Sequence, residues 1–81
     1  MRLDKFLKTS RIIKRRTVAK AACDASRVSL NGRVAKAGAE VEVGDEIEVR
    51  FGSGPLKISV RSLRESVRKE EAEELYEILP L

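Results

Sequence analysis

The sequence has no histidine and no tryptophan, and only two phenylalanines and one tyrosine among its 81 residues. Without histidine, it lacks the commonest metal ligand and the side chain that most often transfers protons near neutral pH. The single cysteine, Cys23, cannot form an internal disulfide or a zinc site by itself, and it is more typical of a small core residue than of a reactive thiol. We find no nucleophile–base pair and no glycine-rich phosphate loop. We therefore expect a protein that is not an enzyme and that uses no cofactor and no metal.

Long hydrophobic runs are also missing. No apolar stretch approaches the length of a membrane span, and the amino terminus is charged too often for a signal peptide. One unpaired cysteine is typical of a reducing compartment, so we expect a cytoplasmic location. The length allows one domain with a modest core, and 42% hydrophobic with 37% charged residues indicates a folded chain.

Positive charge is concentrated in the first 20 residues. They contain eight basic side chains and one acidic one, a net charge of +7, whereas residues 21–81 contain nine basic and twelve acidic side chains, a net charge of −3. Such a field attracts a polyanion, either nucleic acid or anionic lipid, although a basic face can also serve solubility alone. A membrane-surface segment would carry bulky aromatic residues on an apolar face, and only Phe6 qualifies. The pattern therefore favours nucleic acid and no membrane partner.

Hydrophobic spacing predicts two short helices in this basic segment, over residues 3–8 and from about 16 to 25. From Arg27 onward, apolar and polar residues alternate instead, which predicts strands around 28–30, 40–50 and 56–60. Asn31-Gly32 is the strongest short-range hairpin signal, and Gly44-Asp45 predicts a second turn. The residues expected to share one core are Leu3, Leu7, Val18, Ala22, Val28, Leu30, Val41, Val43, Ile47 and Val49.

The last segment, over residues 67–79, has the spacing of an amphipathic helix. Ala72, Leu75, Tyr76 and Leu79 would share one face, and six acidic residues lie between positions 65 and 77. We divide the chain into a domain over 1–66 and an acidic helix over 67–81 that packs on or extends it. The predicted fold class is α+β, with two basic N-terminal helices, a small antiparallel sheet and a C-terminal helix. The acidic helix leaves a protein-interaction adaptor as an alternative function.

Three stretches together resemble the RNA-binding domain named after small-subunit ribosomal protein S-four. They are MRLDKFL at 1–7, the run from Arg16 through SRVSLNG at 26–32 to Lys36, and VEVGDEIEV at 41–49. The resemblance implies the S-four-like fold with its alpha-L motif. Many family members have glycine where this chain has Ser26, a position that would require a left-handed backbone.

The whole chain is similar to one stand-alone bacterial branch of that family, the RqcP (YabO) branch, a relative of heat-shock protein fifteen. This resemblance implies binding to rRNA and tRNA on obstructed large ribosomal subunits that still carry peptidyl-tRNA. It also implies support for C-terminal alanine tailing by an RqcH-type partner. A large-subunit recycling factor like heat-shock protein fifteen is the alternative. We expect the chain to be a monomer.

Candidate RNA contacts come from the basic segment and one loop lysine. Arginine suits phosphate because its planar fork binds two oxygens at once. Asp4 could stabilise the helix start or pair with Lys8, whereas the resemblance places it at the RNA surface beside Arg2. Lys36 could extend the phosphate track or have no role. The candidate RNA-binding residues are Arg2, Asp4, Lys5, Lys8, Arg11, Lys14, Arg15, Arg16, Lys20 and Lys36.

Overall fold

Two short helices occupy the basic segment, and the remainder of the chain builds a five-stranded antiparallel sheet. The computed structural model describes all residues, 1–81. Along the chain the elements are α1 (Leu3–Thr9), α2 (Arg16–Asp24), β1 (Val28–Leu30), β2 (Arg33–Val34), β3 (Glu46–Phe51), β4 (Gly54–Val60), a 3₁₀-helix (Lys69–Leu75) and β5 (Tyr76–Leu79). The predicted α+β class, with two basic helices and an antiparallel sheet, is confirmed. No helix combines the length and the apolar character that crossing a membrane would need.

The sheet has the order β2-β1-β3-β4-β5. The predicted hairpin joins β1 to β2, with Leu30 opposite Arg33. Its two turn residues, Asn31 and Gly32, have φ values of 52° and 85°. Two consecutive positive φ values match the right-handed twist of the flanking strands, which explains why Asn-Gly occurs here.

One hydrophobic core lies between the helices and the sheet. Six residues expected there are buried, and Leu30 and Ala22 are partly buried against them. The six buried ones are Leu3, Leu7, Val28, Val41, Ile47 and Val49.

The core prediction was wrong for Val18 and Val43, which are 52% and 60% exposed. Helix α2 buries the small residues Ala19 and Cys23 instead, and Val18 lies on its outer side. Val43 was expected in a strand over residues 40–43, but the chain makes only an isolated bridge at Glu40 and then turns. That turn is closed by the Asp45 carboxylate, which accepts a hydrogen bond from the Glu42 backbone N–H at 2.8 Å and leaves Val43 pointing outward.

The C-terminal helix is shorter than predicted. A 3₁₀-helix ends at Leu75, and Tyr76–Leu79 forms β5, which pairs antiparallel with β4. A longer α-helix would bring several glutamates together at three- and four-residue spacing, which is unfavourable. Pairing with β4 instead satisfies backbone groups along that strand. The division of the chain at residue 66 stays a prediction, with residues 76–79 completing the sheet.

Candidate nucleic-acid interface

A buried carboxylate at the start of α1 holds two arginines at the surface. Asp4 Oδ1 accepts a hydrogen bond from Arg2 Nε–H at 3.2 Å, and Oδ2 forms an ion pair with Arg16 Nε at 3.3 Å. Oδ1 also accepts from the Lys5 backbone N–H at 2.9 Å. Asp4 is 3% exposed, whereas the side chains of Arg2 and Arg16 are 51% and 47% exposed. This Arg2–Asp4–Arg16 cluster therefore presents two oriented guanidiniums to solvent.

The electrostatics of this cluster keep Asp4 ionised. Burial by itself would raise the pKa of Asp4, but the hydrogen bonds and charges of Arg2 and Arg16 outweigh it, so the pKa lies below its ordinary value. Pairing of Asp4 with Lys8, one of the two expected structural roles, is not what the structure shows. The carboxylate sits in the first turn of α1, where negative charge is also favoured by the helix dipole.

The loop after β2 fixes the start of α1. The backbone N–H groups of Leu3 and Asp4 donate to the carbonyls of Ala39 and Ala37, at 2.8 and 3.1 Å. The Arg2 guanidinium lies over Gly38, where a Cβ would stand 3.7 Å from Arg2 Cζ. The first-turn amides of α1 are thus engaged, which leaves the side chains of α1 to meet any external ligand.

The connection between α1 and α2 presents further cations. Its backbone is fixed by the buried Ile13, which is 6% exposed and whose N–H donates to the Leu7 carbonyl at 3.0 Å. Arg11 adopts a left-handed conformation with φ 62°. Arg11, Lys14 and Arg15 are all exposed, so this short connection displays three unburied positive charges.

The four candidate lysines outside the α1–α2 connection differ in exposure and in ion pairing. Lys8 is exposed on α1, and Lys5 is partly buried and forms an ion pair with Glu65. Lys20 lies 3.7 Å from Asp24 along α2, at the spacing of four residues. Lys36 is exposed beside the C-terminal end of α2, whereas Arg16 begins that helix. The structure therefore does not place Lys36 in the Arg2–Asp4–Arg16 cluster.

The segment over residues 65–67 lies beside the basic segment, which the sequence did not predict. The Lys5 ammonium donates a hydrogen bond to the Glu65 carboxylate, although the two residues are 60 apart in sequence. This contact holds the pKa of Glu65 below its usual range. Glu65 and Ser66 also line a cleft with the α1–α2 connection. Glu65 had been counted with the acidic tail, and no sequence signal links it to Lys5.

Cys23 is 4% exposed and packs in the core, as expected. Burial, and to a smaller extent the nearby carboxylates of Asp4 and Asp24, raise the pKa of its thiol. A raised pKa disfavours the thiolate, which is the reactive form.

Comparison with known proteins identifies the family of the chain. The family model described as "S4 domain" matches residues 1–47. The chain is 55% identical over 78 residues to the "RQC P-site tRNA stabilizing factor" of Halalkalibacterium halodurans, covering 96% of this chain and 89% of that protein. The Bacillus subtilis protein of the same name is 53% identical over 79 residues, covering 98% and 92%.

A solved structure shows the same fold over nearly the whole chain. The trimeric Heat Shock Protein 15 of Vibrio cholerae superposes with a TM-score of 0.91 at 32% identity, covering 98% of this chain and 81% of that one. The family match includes α1, α2 and the Arg2–Asp4–Arg16 cluster. The chain belongs to the S4 domain family.

Proposed function

We propose that this protein binds RNA in ribosome quality control, where it stabilises tRNA in the P site of an obstructed large ribosomal subunit. The observation that carries the proposal is the Arg2–Asp4–Arg16 cluster, two half-exposed guanidiniums held by one buried carboxylate within the matched domain. Identity of 53–55% to the two tRNA-stabilizing factors, over nearly their full length, supports the choice of tRNA.

The cluster is suited to phosphate because its geometry exists before RNA arrives. Each guanidinium can donate two parallel hydrogen bonds to phosphate oxygens, and the Asp4 contacts reduce the freedom that binding would otherwise remove. Asp4 itself is 3% exposed and both of its oxygens are engaged, so we assign it a positioning role. The exposed cations of the α1–α2 connection extend the same positive surface. Recognition of this kind reads the shape of folded RNA more than base identity.

The finer parts of the proposal are carried by family resemblance. They are contact with rRNA of the large subunit and with peptidyl-tRNA, and support for alanine tailing by an RqcH-type factor. We also propose that the protein works in the cytoplasm, has no catalytic activity and is a monomer. Sedimentation equilibrium tests the last point directly, since the Vibrio cholerae relative is described as a trimer.

Large-subunit recycling in the manner of heat-shock protein fifteen is a second candidate, favoured by the TM-score of 0.91. The higher identity to the tRNA-stabilizing factors supports the first candidate.

The adaptor alternative rests on the acidic residues around the 3₁₀-helix. Because β5 belongs to the sheet, truncation would disturb the fold, and charge reversal at the exposed Glu73 is the better test of it.

The proposal is tested by fractionating ribosomal particles. We expect the tagged protein to sediment with free large subunits that carry peptidyl-tRNA more than with translating ribosomes. Arg16→Glu should remove it from those fractions, whereas Glu73→Lys should leave it there. Alanine tails on a stalled reporter, read by mass spectrometry, should also disappear with Arg16→Glu. An even distribution over all fractions would contradict a role in quality control. If Arg16→Glu impaired the recycling of large subunits but left the alanine tails unchanged, the second candidate would be favoured.

A further inference from the structure

A cleft of about 310 Å³ separates the α1–α2 connection from the segment over residues 65–67. Its basic wall is formed by Lys8, Arg11 and Lys14. None of these three takes part in any of the nine salt bridges of the structure. Three cations without counter-ions on one concave surface create a local potential that attracts an anion.

The rest of the lining is suited to an oxygen-rich ligand. Thr9 and Ser66 also line it, and hydroxyl side chains can donate hydrogen bonds. Val67 is the one apolar residue in the lining. The volume lies near the small end of the range for ligand sites, about 300–1,000 Å³. A single phosphate with its sugar is a group of suitable size and polarity.

Glu65 is the one carboxylate in the lining, and it is not free. It is bonded to the Lys5 ammonium, so its charge is offset and its segment is tethered to α1. The lining therefore combines three unpaired cations with one paired carboxylate. The ion pair also holds the segment over residues 65–67, the far wall of the cleft, beside the N-terminal residues that form the basic wall.

Arg11 directly follows the C-cap residue of α1. Arg11 has φ 62°, a conformation that disfavours residues with a Cβ and suits glycine. Ser26 has the same conformation after α2, so the left-handed backbone marks the end of a helix, and the particular feature of Arg11 is that a position suited to glycine carries a cation. Arg11 lines the cleft together with Lys8 and Lys14.

We propose that this cleft binds one phosphate group of RNA or of a free nucleotide, with Lys8, Arg11 and Lys14 neutralising its charge. The hydroxyls of Thr9 and Ser66 donate hydrogen bonds to it. The inference rests on the proposed function for RNA as the favoured source of the phosphate. It goes beyond that function by adding a second wall, from residues 65–67, to the RNA-binding surface.

The far wall provides the decisive variants because it lies outside the basic segment. Ser66→Glu places a carboxylate in the cleft, and we expect the affinity for deacylated tRNA to fall by about tenfold or more. Ser53→Glu makes the same charge change in an exposed turn outside the cleft and should alter affinity by less than about twofold. Glu65→Gln should act in the opposite direction and raise affinity, because it removes the negative charge from the lining while its amide oxygen can still accept a hydrogen bond from Lys5 and keep the segment in place. Fluorescence anisotropy with labelled tRNA measures all three.

Arg11→Gly separates binding from folding. Glycine accepts the left-handed backbone, so the melting temperature should not fall, whereas tRNA affinity should drop by several-fold with loss of one phosphate contact. Ser26→Gly is the matched control, because Ser26 has φ 61° and carries no charge. It should relieve the same kind of strain and leave tRNA affinity unchanged.

The source of the phosphate is identified by NMR titration of the intact ¹⁵N-labelled protein. Shifts of the Thr9 and Ser66 amides with tRNA but not with adenosine monophosphate would assign the cleft to the RNA backbone. Shifts with both would assign it to nucleotide phosphates in general. The absence of shifts with either ligand, or unchanged tRNA affinity of Ser66→Glu, would overturn the proposal.

The same assay distinguishes this failure from that of the proposed function. Loss of tRNA affinity in Arg16→Glu but not in Ser66→Glu would overturn the cleft and leave the proposed function standing. Loss in Ser66→Glu but not in Arg16→Glu would support the cleft and contradict the role of the Arg2–Asp4–Arg16 cluster. Unchanged affinity in both variants would overturn both.

Discussion

Asp4 and Arg16 join the two helices of the basic segment, since Asp4 Oδ2 in α1 lies 3.3 Å from Arg16 Nε in α2. The carboxylate is buried and the guanidinium is half exposed. One contact therefore bridges α1 and α2 and also orients a side chain that we assign to RNA binding. Substitutions at its two ends should have different effects on stability and on affinity.

Replacing Asp4 with asparagine should lower the free energy of unfolding at neutral pH by about 1–2 kcal/mol. This lies between the values for exposed and buried ion pairs, because the carboxylate is buried and its arginine partners are only half covered. Urea unfolding followed by circular dichroism measures the loss. Unchanged stability would show that the Arg2–Asp4–Arg16 cluster contributes nothing to the fold.

The same carboxylate predicts how stability depends on pH. The native pKa of Asp4 is depressed, so below about pH 4 the unfolded chain binds a proton that the folded chain does not. The contribution of Asp4 is complete above the unfolded pKa and is lost as the pH falls through the native value. Thermal melts from neutral to acid pH should show a steeper loss for the wild type than for Asp4→Asn. Parallel curves would contradict the depressed pKa.

The core makes a separate prediction at Ile47, which is fully buried in β3 between β1 and β4. Ile47→Ala should cost about 2–4 kcal/mol, since it removes buried methyl groups and leaves a cavity. Val43→Ala is the matched control, because Val43 is 60% exposed, and its effect should stay within about 0.5 kcal/mol. Equal losses in chemical denaturation would mean that the assigned burial is wrong.

RNA binding should weaken with salt because phosphate neutralisation releases counterions. For about four to six phosphate contacts, log affinity should fall against log salt with a slope of roughly −3 to −5. Arg16→Glu should remove most binding, and Arg16→Lys should reduce it less, since the charge remains and the planar fork is lost. Glu73→Lys should not weaken binding. Titrations at several salt concentrations measure the slope, and a slope near zero would contradict phosphate binding.

Ser26 offers a stability gain at the end of α2. Its φ of 61° is the left-handed conformation that the resemblance led us to expect, and most residues pay about 1–2 kcal/mol there. Ser26→Gly should raise the free energy of unfolding by about 0.5–1 kcal/mol, with part of the relief offset by the flexibility of glycine in the unfolded chain. The melting temperature should therefore rise, and a lower melting temperature would contradict backbone strain at Ser26.

Local patterns predicted the features that short stretches of sequence determine. Asn31-Gly32 specifies its hairpin because few residue pairs accept two positive φ values. Ile47 and Val49 alternate with glutamates, and that alternation matches burial on one side of β3. The tail was harder, because the spacing of Ala72 and Leu75 suits a helix while Tyr76–Leu79 pairs with a strand that is distant in sequence.

The candidate site shows the same division between local and distant information. The charge density of the sequence identified the basic segment, and all of its arginines and lysines except Lys5 are exposed in the structure. Lys20 and Asp24 pair at helical spacing, but other partners depended on tertiary structure. Lys5 forms an ion pair with Glu65, which is 60 residues away in sequence. Asp4 forms ion pairs with Arg2 and Arg16 and not with Lys8, its neighbour at helical spacing. No periodicity encodes the Lys5–Glu65 and Asp4–Arg16 pairs, since their members come together only in the folded chain.

The two outermost strands of the sheet also affect how the protein behaves at high concentration. An exposed strand edge can recruit the edge of another molecule and start aggregation. Here β2 has only two residues and carries Arg33, while β5 contains Glu77 and is followed by Pro80, which has no N–H to donate. Short, charged edges of this kind disfavour the addition of a strand from another molecule. We therefore expect concentrated solutions of the protein not to form fibrils.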